Sequence, residues 1–223
     1  MPMATRRKIN SGILATAALA AGVKPASPQP ARSPIELPTP RPDFGVSLAR
    51  ALRARRSTRE FDASRGLPPS ILSELLWCAY GVNRPATADR TAPSWRHALE
   101  TEIFAAMAEG VWRYEPVAHR LLPHLARDIR AETGVQDFVG TAPLDLVYVS
   151  NAERLGDLTE EEYHRVASAD TGFIGQNVYL YCAAEGLATV FRGSLDAKRL
   201  ALTLGLAPTQ FVTFAQTVGY PKA

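Results

Sequence analysis

The run Leu144-Asp145-Leu146-Val147-Tyr148-Val149-Ser150 constrains this chain more than any other stretch. From Leu144 to Val149 only Asp145 is polar. A strand buried on both faces reads as a near-continuous apolar run, so the segment predicts a central strand of a covered sheet. Further strands are expected at Glu102–Ala106 and Val111–Tyr114, joined by a turn at Glu109-Gly110, and at 187–191 and 211–218. Helices are expected at Phe44–Arg56 and at Ile71–Tyr80, the second opened by Pro69-Ser70 with help from Glu74 and ended by Gly81. Others are expected at Val117–Thr133, broken at Pro123, and at Asp196–Leu204. Residues 81–91 read as a loop and 57–61 as extended chain. Helices segregated from a few strands indicate an α+β fold.

The longest expected helix starts at a Thr159 cap and closes at Gly186. It carries Ala167, Ala169, Gly172, Gly175, Ala183 and Ala184. Small residues at that density let a helix approach another backbone or a flat ligand closely.

The N-terminus reads differently. Arg6-Arg7-Lys8 precedes an apolar run, Ile13–Val23, too short to span a bilayer. This is the pattern of a secretory signal peptide over residues 1–26, and the paired arginines resemble a twin-arginine leader. It implies export to the periplasm with no stable membrane anchor. The alternative is an uncleaved tail on a cytoplasmic protein. Residues 27–43 are proline-rich, with Pro28, Pro30, Pro34, Pro38, Pro40 and Pro42, and read as an extended linker. The folded domain is expected over 44–223. The chain totals +3, but six basic residues before position 42 face Glu36 alone, a charge of +5 that leaves −2 for the body. The basic whole therefore does not argue for nucleic acid. Cys78 and Cys182 sit in apolar helical patterns and read as buried free thiols.

Several chemistries lack their signatures. There is no Walker loop, no G-x-G-x-x-G, no H-E-x-x-H, no cysteine cluster and no G-x-S-x-G elbow. No metal site and no catalytic acid–base residue is assigned. What stands out is Arg55-Arg56-Ser57-Thr58-Arg59, three guanidinium groups and two hydroxyls in five residues. Two readings are open at this point. Basic residues complement the dipole at a helix C-terminus. Equally, arginine forks bind phosphate bidentately and stay charged.

Six stretches, taken in order, resemble the FMN-dependent nitroreductase family, in particular its compact branch that includes azoline dehydrogenase subunits. They are Arg55–Phe61 (R-R-S-x-R-x-F), Leu75–Arg84 (L-L-W-x-A-x-G-x-N-R), Arg90–Ser94 (R-T-A-P-S), Asp170–Asn177 on the long helix, Gly186–Val190 (G-L-x-T-V) and Val218–Pro221 (V-G-Y-P). The similarity spans about residues 46–222.

The resemblance implies a central, mainly antiparallel sheet flanked by helices, in an intertwined homodimer with FMN at the interface. Carried over by motif, Arg55, Arg56, Ser57, Thr58 and Arg59 would hold the FMN phosphate and ribityl chain. Pro93, Ser94, Trp95 and His97 would approach the flavin from the second subunit. Leu187, Ala188 and Thr189 would line the ring's polar edge. Lys222 stands in for a C-terminal phosphate ligand, and Gln176 either faces the pocket or makes a core hydrogen bond; Asn177 is open in the same way. His97 replaces a common Asn, and Ala188 replaces a glycine. The implied activity is hydride transfer in two steps, from a reduced donor such as NAD(P)H through FMN to a nitroaromatic, quinone or similar small acceptor. An exported enzyme has little NAD(P)H at hand, which sets the leader and that donor in tension. Two alternatives remain: a low-turnover FMN carrier or sensor, and a dehydrogenase subunit of a peptide-modifying complex. The Lys-Tyr pair of the azoline oxidases has no counterpart, as the body holds only Lys198 and Lys222.

Overall fold

The computed structural model describes residues 32–222. The leader, 1–26, and the first residues of the expected linker lie outside that range.

The elements follow in chain order as β1 (Ile35–Glu36), α1 (Leu48–Ala54), α2 (Pro69–Tyr80), β2 (Val82–Arg84), β3 (Asp89–Arg90), β4 (Thr101–Met107), β5 (Gly110–Glu115), β6 (Arg120–Leu125), β7 (Leu144–Asn151), α3 (Glu160–Glu185), β8 (Ala188–Arg192), α4 (Ala197–Leu204) and β9 (Gln210–Gly219). Seven strands form one sheet in the order β1-β6-β5-β4-β7-β9-β8, antiparallel at every pairing. β7 lies inside it, between β4 and β9, and seven of its eight residues are buried, as its apolar run predicted.

α2 and α3 pack on one face, where Leu75, Leu76, Ile174 and Val178 meet Leu144, Leu146 and Tyr148. On the other face Leu200 and Leu204 of α4 meet Phe104, Val147 and Val149. Leu75, Leu76 and Ile174 are fully buried, each worth about 1.5–3 kcal/mol relative to exposure. The architecture is the α+β sheet with flanking helices that the sequence indicated.

α3 forms because its ends are satisfied. Thr159 and Glu162 make a reciprocal capping box, and Gly186 closes the helix at φ 69°. At mid-helix Gly175 lets the backbone rest on the sheet: a Cβ there would lie 2.6 Å from the Phe191 ring. This part of the small-residue pattern serves core packing.

Four local expectations are corrected. The segment 117–133 is not a helix but contains β6. Leu121 is buried, and Pro123 pairs with Trp112 beside a register shift. β1 pairs only with Arg120 and Leu121, so Pro123 sits where no donor toward a further strand is needed. The hairpin between β4 and β5 turns at Ala108-Glu109, and Gly110 opens β5 at φ 146°. The expected loop at 81–91 contains the β2/β3 hairpin. At α2, Pro68 is the cap residue. Glu74, expected to help there, instead accepts Arg41 Nε at 2.6 Å and Tyr181 OH at 2.8 Å.

The linker boundary also moves. Residues 32–43 are docked, not free chain: Ile35 and Glu36 extend the sheet, the Pro38 carbonyl accepts the Ser73 hydroxyl, and Arg41 bridges Glu74 and Glu185. α1 is correspondingly shorter than expected, capped by Ser47.

Within β7, Asp145 is fully buried. Arg192 Nη2 donates to it at 2.8 Å, and Thr217 Oγ1 donates as well. Arg192, 4 % exposed, also donates to the Thr133 carbonyl at 2.8 Å. Burial pushes the Asp145 carboxyl up, to about 7, against the pull of Arg192. Its Oδ2 has no partner among the described residues.

Candidate cofactor site

The arginine segment leaves α1 and runs along β8. Thr58 N–H donates to the Thr189 carbonyl at 2.9 Å. Lys222 N–H donates to the Glu60 carbonyl at 3.2 Å, and Phe61 bridges Pro221. Two segments about 130 residues apart in sequence and the C-terminus thereby become neighbours. Between them lies a cavity of about 220 Å³, lined by Arg56, Thr58, Tyr179, Leu187, Ala188 and Thr189 among others. Gly186 supplies another stretch of its rim, past the end of α3.

Tyr179 on α3 organises the segment. Its hydroxyl accepts Phe191 N–H at 2.9 Å and lies 2.7 Å from Ser57 Oγ. The Arg55 guanidinium sits 5.2 Å from the Tyr179 ring centroid, a cation–π distance. Tyr179 was not among the residues singled out from the sequence. A signal existed: Cys182, Ala183 and Gly186 follow it at helical spacing, and all line the same cavity.

The electrostatics suit an anion. Among the described residues, Arg55, Arg56 and Arg59 have no carboxylate within ion-pair distance, and the one side-chain hydrogen bond of Arg56 goes to the Ala54 carbonyl at 3.2 Å. Arg56, Ser57 and Arg59 are exposed. Cations gathered without counter-charges beside a backbone loop match a phosphate-bearing ligand. A phosphate and its polyol chain therefore fit the donor set present.

The second expected group does not join this cavity within one chain. Pro93, Ser94, Trp95 and His97 lie in a turn beside α3, where Trp95 N–H donates to Asp170 Oδ2 at 2.7 Å. Ser94 Oγ donates to Glu100 Oε2 at 2.8 Å and accepts Leu99 N–H at 2.8 Å. His97 Nδ1 is 3.0 Å from Asp89. Arg96, His97 and Leu99 all have positive φ, at 46°, 61° and 49°. Strained backbone of this kind persists only where surroundings hold it, and here the carboxyls of Glu100 and Asp170 do so. Burial pushes the Asp170 carboxyl up to about 6, with the Glu100 charge adding to the rise and Trp95 N–H opposing it. Asp170 and Glu100 were not singled out as site residues.

Asp170 and Tyr179 are nine residues apart on α3, roughly 14 Å along the axis. The helix thus carries the two groups at separate points. Between them it leaves Gly172, Phe173 and Gln176 exposed. Gln176 is exposed and does not line the Arg56 cavity; Asn177 lines a different groove, with Trp77 and Tyr181.

Comparison with known proteins gives a consistent result. The family model described as the nitroreductase family matches residues 52–220. A protein of Methanocaldococcus jannaschii, named a nitroreductase by inference, is 31 % identical in an alignment 159 residues long that covers 67 % of this chain and 79 % of that protein. A crystal structure from Ralstonia eutropha JMP134, likewise named by inference, superposes with a TM-score of 0.81 at 41 % identity, covering 90 % of this chain and 97 % of that one. The NADPH:FMN oxidoreductase of Vibrio harveyi shares the fold, with a TM-score of 0.60 at 20 % identity over 79 % of this chain and 69 % of that one. The motifs, the sheet and these matches agree: the chain belongs to the nitroreductase family and is an oxidoreductase of the flavin-using kind.

Proposed function

We propose that the protein is an FMN-dependent oxidoreductase that works as a homodimer. It moves a hydride from a reduced donor, such as NAD(P)H, to a nitroaromatic, a quinone or a similar small acceptor. The observation that carries this reading is the Arg56 guanidinium, without a carboxylate partner among the described residues, lining a cavity with the Gly186–Thr189 backbone, and with Arg55 and Arg59 near it in the sequence, in a chain of this family.

Arg55, Arg56 and Arg59 bind the FMN phosphate, and Lys222 adds a further cation near it. Ser57 and Thr58 meet the ribityl hydroxyls. Leu187, Ala188 and Thr189 present backbone along the polar edge of the ring. The Pro93–His97 turn of a second copy closes the other side and excludes water; Glu100 and Asp170 keep that turn in shape. When bound, FMN supplies the hydride-transfer chemistry itself. Donor and acceptor use the same face in turn, so the donor leaves before the acceptor enters.

The dimer reading rests on the exposed stripe of α3. Phe173 and Trp95 are 49 % and 41 % exposed, and they flank the Asp170 contact that ties their segments together. Large apolar groups grouped on a surface mark interaction sites. We also propose export through the twin-arginine-like leader, which would carry the domain already folded with its cofactor.

Absorbance spectroscopy tests the central reading. The purified protein should show a flavin spectrum that bleaches with NADPH or NADH and returns with a nitroaromatic. A protein that neither carries nor takes up FMN overturns it. Bound FMN that no nicotinamide reduces points to a different donor or to the carrier role.

A further inference from the structure

Outside the cofactor site, donors and acceptors fail to balance in one cavity. Tyr80, the last residue of α2, is 2 % exposed, and its hydroxyl lies near Ser94 but makes no hydrogen bond of good geometry among the described residues. The Nε of Arg90 on β3 is buried and also lacks one. The Arg90 guanidinium carbon lies 5.7 Å from the Tyr80 ring centroid. Both residues line a cavity of about 220 Å³ that β4 and β5 bound, and that shares no residue with the Arg56 cavity.

The charges around this cavity leave a positive remainder. Arg113 donates to Glu102 at 3.1 Å, and Gln210 Nε2 takes the other Glu102 oxygen at 2.7 Å. Glu115 is paired with Arg120. That leaves Arg90 and Arg154. Their Nη1 groups donate only to main-chain carbonyls, of Ala88 and Leu99, each at 2.8 Å. Among the described residues neither has a carboxylate within ion-pair distance. Glu100, next in sequence to the lining residues Leu99 and Thr101, accepts from Ser94 and Thr101, and its charge also bears on Tyr80, so the remainder is a single positive charge.

The mismatch has one sign. An arginine Nε–H only donates, and a buried tyrosine hydroxyl with no acceptor has a proton to offer. What the Arg90 and Arg154 side of the cavity lacks is an acceptor with negative charge. A carboxylate supplies two coplanar acceptor oxygens that match an arginine fork. Ile103, Pro116 and Val117 give apolar wall beside these groups. At about 220 Å³ the cavity has room for a small molecule. We propose that this cavity binds a small organic monocarboxylate with an apolar body. Arg90 and Tyr80 take its carboxylate, and Arg154 guards the exposed side. Because Leu99 belongs both to this cavity and to the strained turn after Ser94, occupancy would be felt by that turn.

Isothermal titration of the full-length protein tests this, with benzoate, acetate and inorganic phosphate as probes. Benzoate should bind saturably and more tightly than acetate. Arg90→Met should weaken it about tenfold and Arg154→Met about threefold, the loss of charge-assisted bonds. Arg56→Ala, in the other cavity, should leave benzoate binding unchanged. Tyr80→Phe guards against misfolding as an explanation. It deletes an unpartnered buried hydroxyl, so the free protein should melt no lower than wild type, while most of the benzoate-induced rise in melting temperature disappears. Absence of saturable benzoate binding overturns the proposal. So does preference for phosphate, or benzoate binding that survives both Arg90→Met and Tyr80→Phe, which would place it elsewhere, including over the flavin.

Discussion

The Tyr179 hydroxyl lies 2.7 Å from Ser57 Oγ while it accepts the Phe191 N–H at 2.9 Å. Either hydroxyl can donate to the other, and in both arrangements Tyr179 fixes the Ser57 side chain against α3. Tyr179→Phe should therefore weaken FMN binding about three- to tenfold and lower stability by about 1 kcal/mol, one neutral hydrogen bond in each case. Quenching of FMN fluorescence on titration measures the first, and thermal melting the second.

Arg56 contributes to binding without contributing to the core. It is exposed, and among the described residues its side chain bonds nothing but the Ala54 carbonyl at the end of its own helix. Arg56→Ala should cost at least about tenfold in FMN affinity, a charge-assisted bond, with the far-UV circular dichroism and melting temperature of the FMN-free protein unchanged. The remaining affinity should fall less steeply with added salt than in wild type. Unchanged flavin occupancy would remove Arg56 from the phosphate site.

Asp145 and Arg192 make the opposite case, a buried pair remote from solvent. Arg192→Met should destabilise by about 3–5 kcal/mol, because it strands a buried carboxyl. Replacing both, as Asp145→Leu with Arg192→Met, should recover most of that loss. Urea denaturation of the two variants decides it. A double variant no better than the single would mean that the Thr133 and Thr217 contacts, not the charges, carry the stability.

The Asp170 carboxyl gives the protein a pH dependence of known sign. Its proton is held to about 6 in the folded chain, against an ordinary value of 3.8. Between those values the folded state binds more protons than the unfolded state. The contribution to stability is therefore full below about 3.8 and is lost as pH rises through 6, on the order of 1–3 kcal/mol. Asp170→Asn keeps an oxygen for Trp95 N–H but cannot titrate. Denaturation of both proteins from pH 4.5 to 7.5 should show wild type losing stability relative to the variant. A constant difference across that range would contradict the assignment.

Gly175 tests the seat of α3 on the sheet. Gly175→Ala places a Cβ 2.6 Å from the Phe191 ring and 3.3 Å from Gln216 Oε1. Overpacking of this kind costs about 1–3 kcal/mol. Thermal melting reads the loss directly. Since Phe191 also donates to Tyr179, FMN affinity should fall with it.

What the sequence alone determined was local or carried by motif order. The apolar run of β7, the Thr159 cap and the Gly186 stop depend on residues a few positions apart, and each appears where expected. The ordered motifs identified the family, and with it the sheet. Tertiary structure decided the rest. The 120–125 segment pairs as a strand because β5 offers it a ladder, which its own mixed pattern did not reveal. The proline-rich approach is docked because Glu74 and Glu185, distant in sequence, receive Arg41. Asp145 gave no hint that Arg192 would meet it. The arginine segment became a site only when Thr189 received Thr58 and Tyr179 received Ser57. Capping and periodicity act within a turn or two of chain, whereas the partner of a buried charge or the neighbour of a strand is set by which distant segments the core brings together.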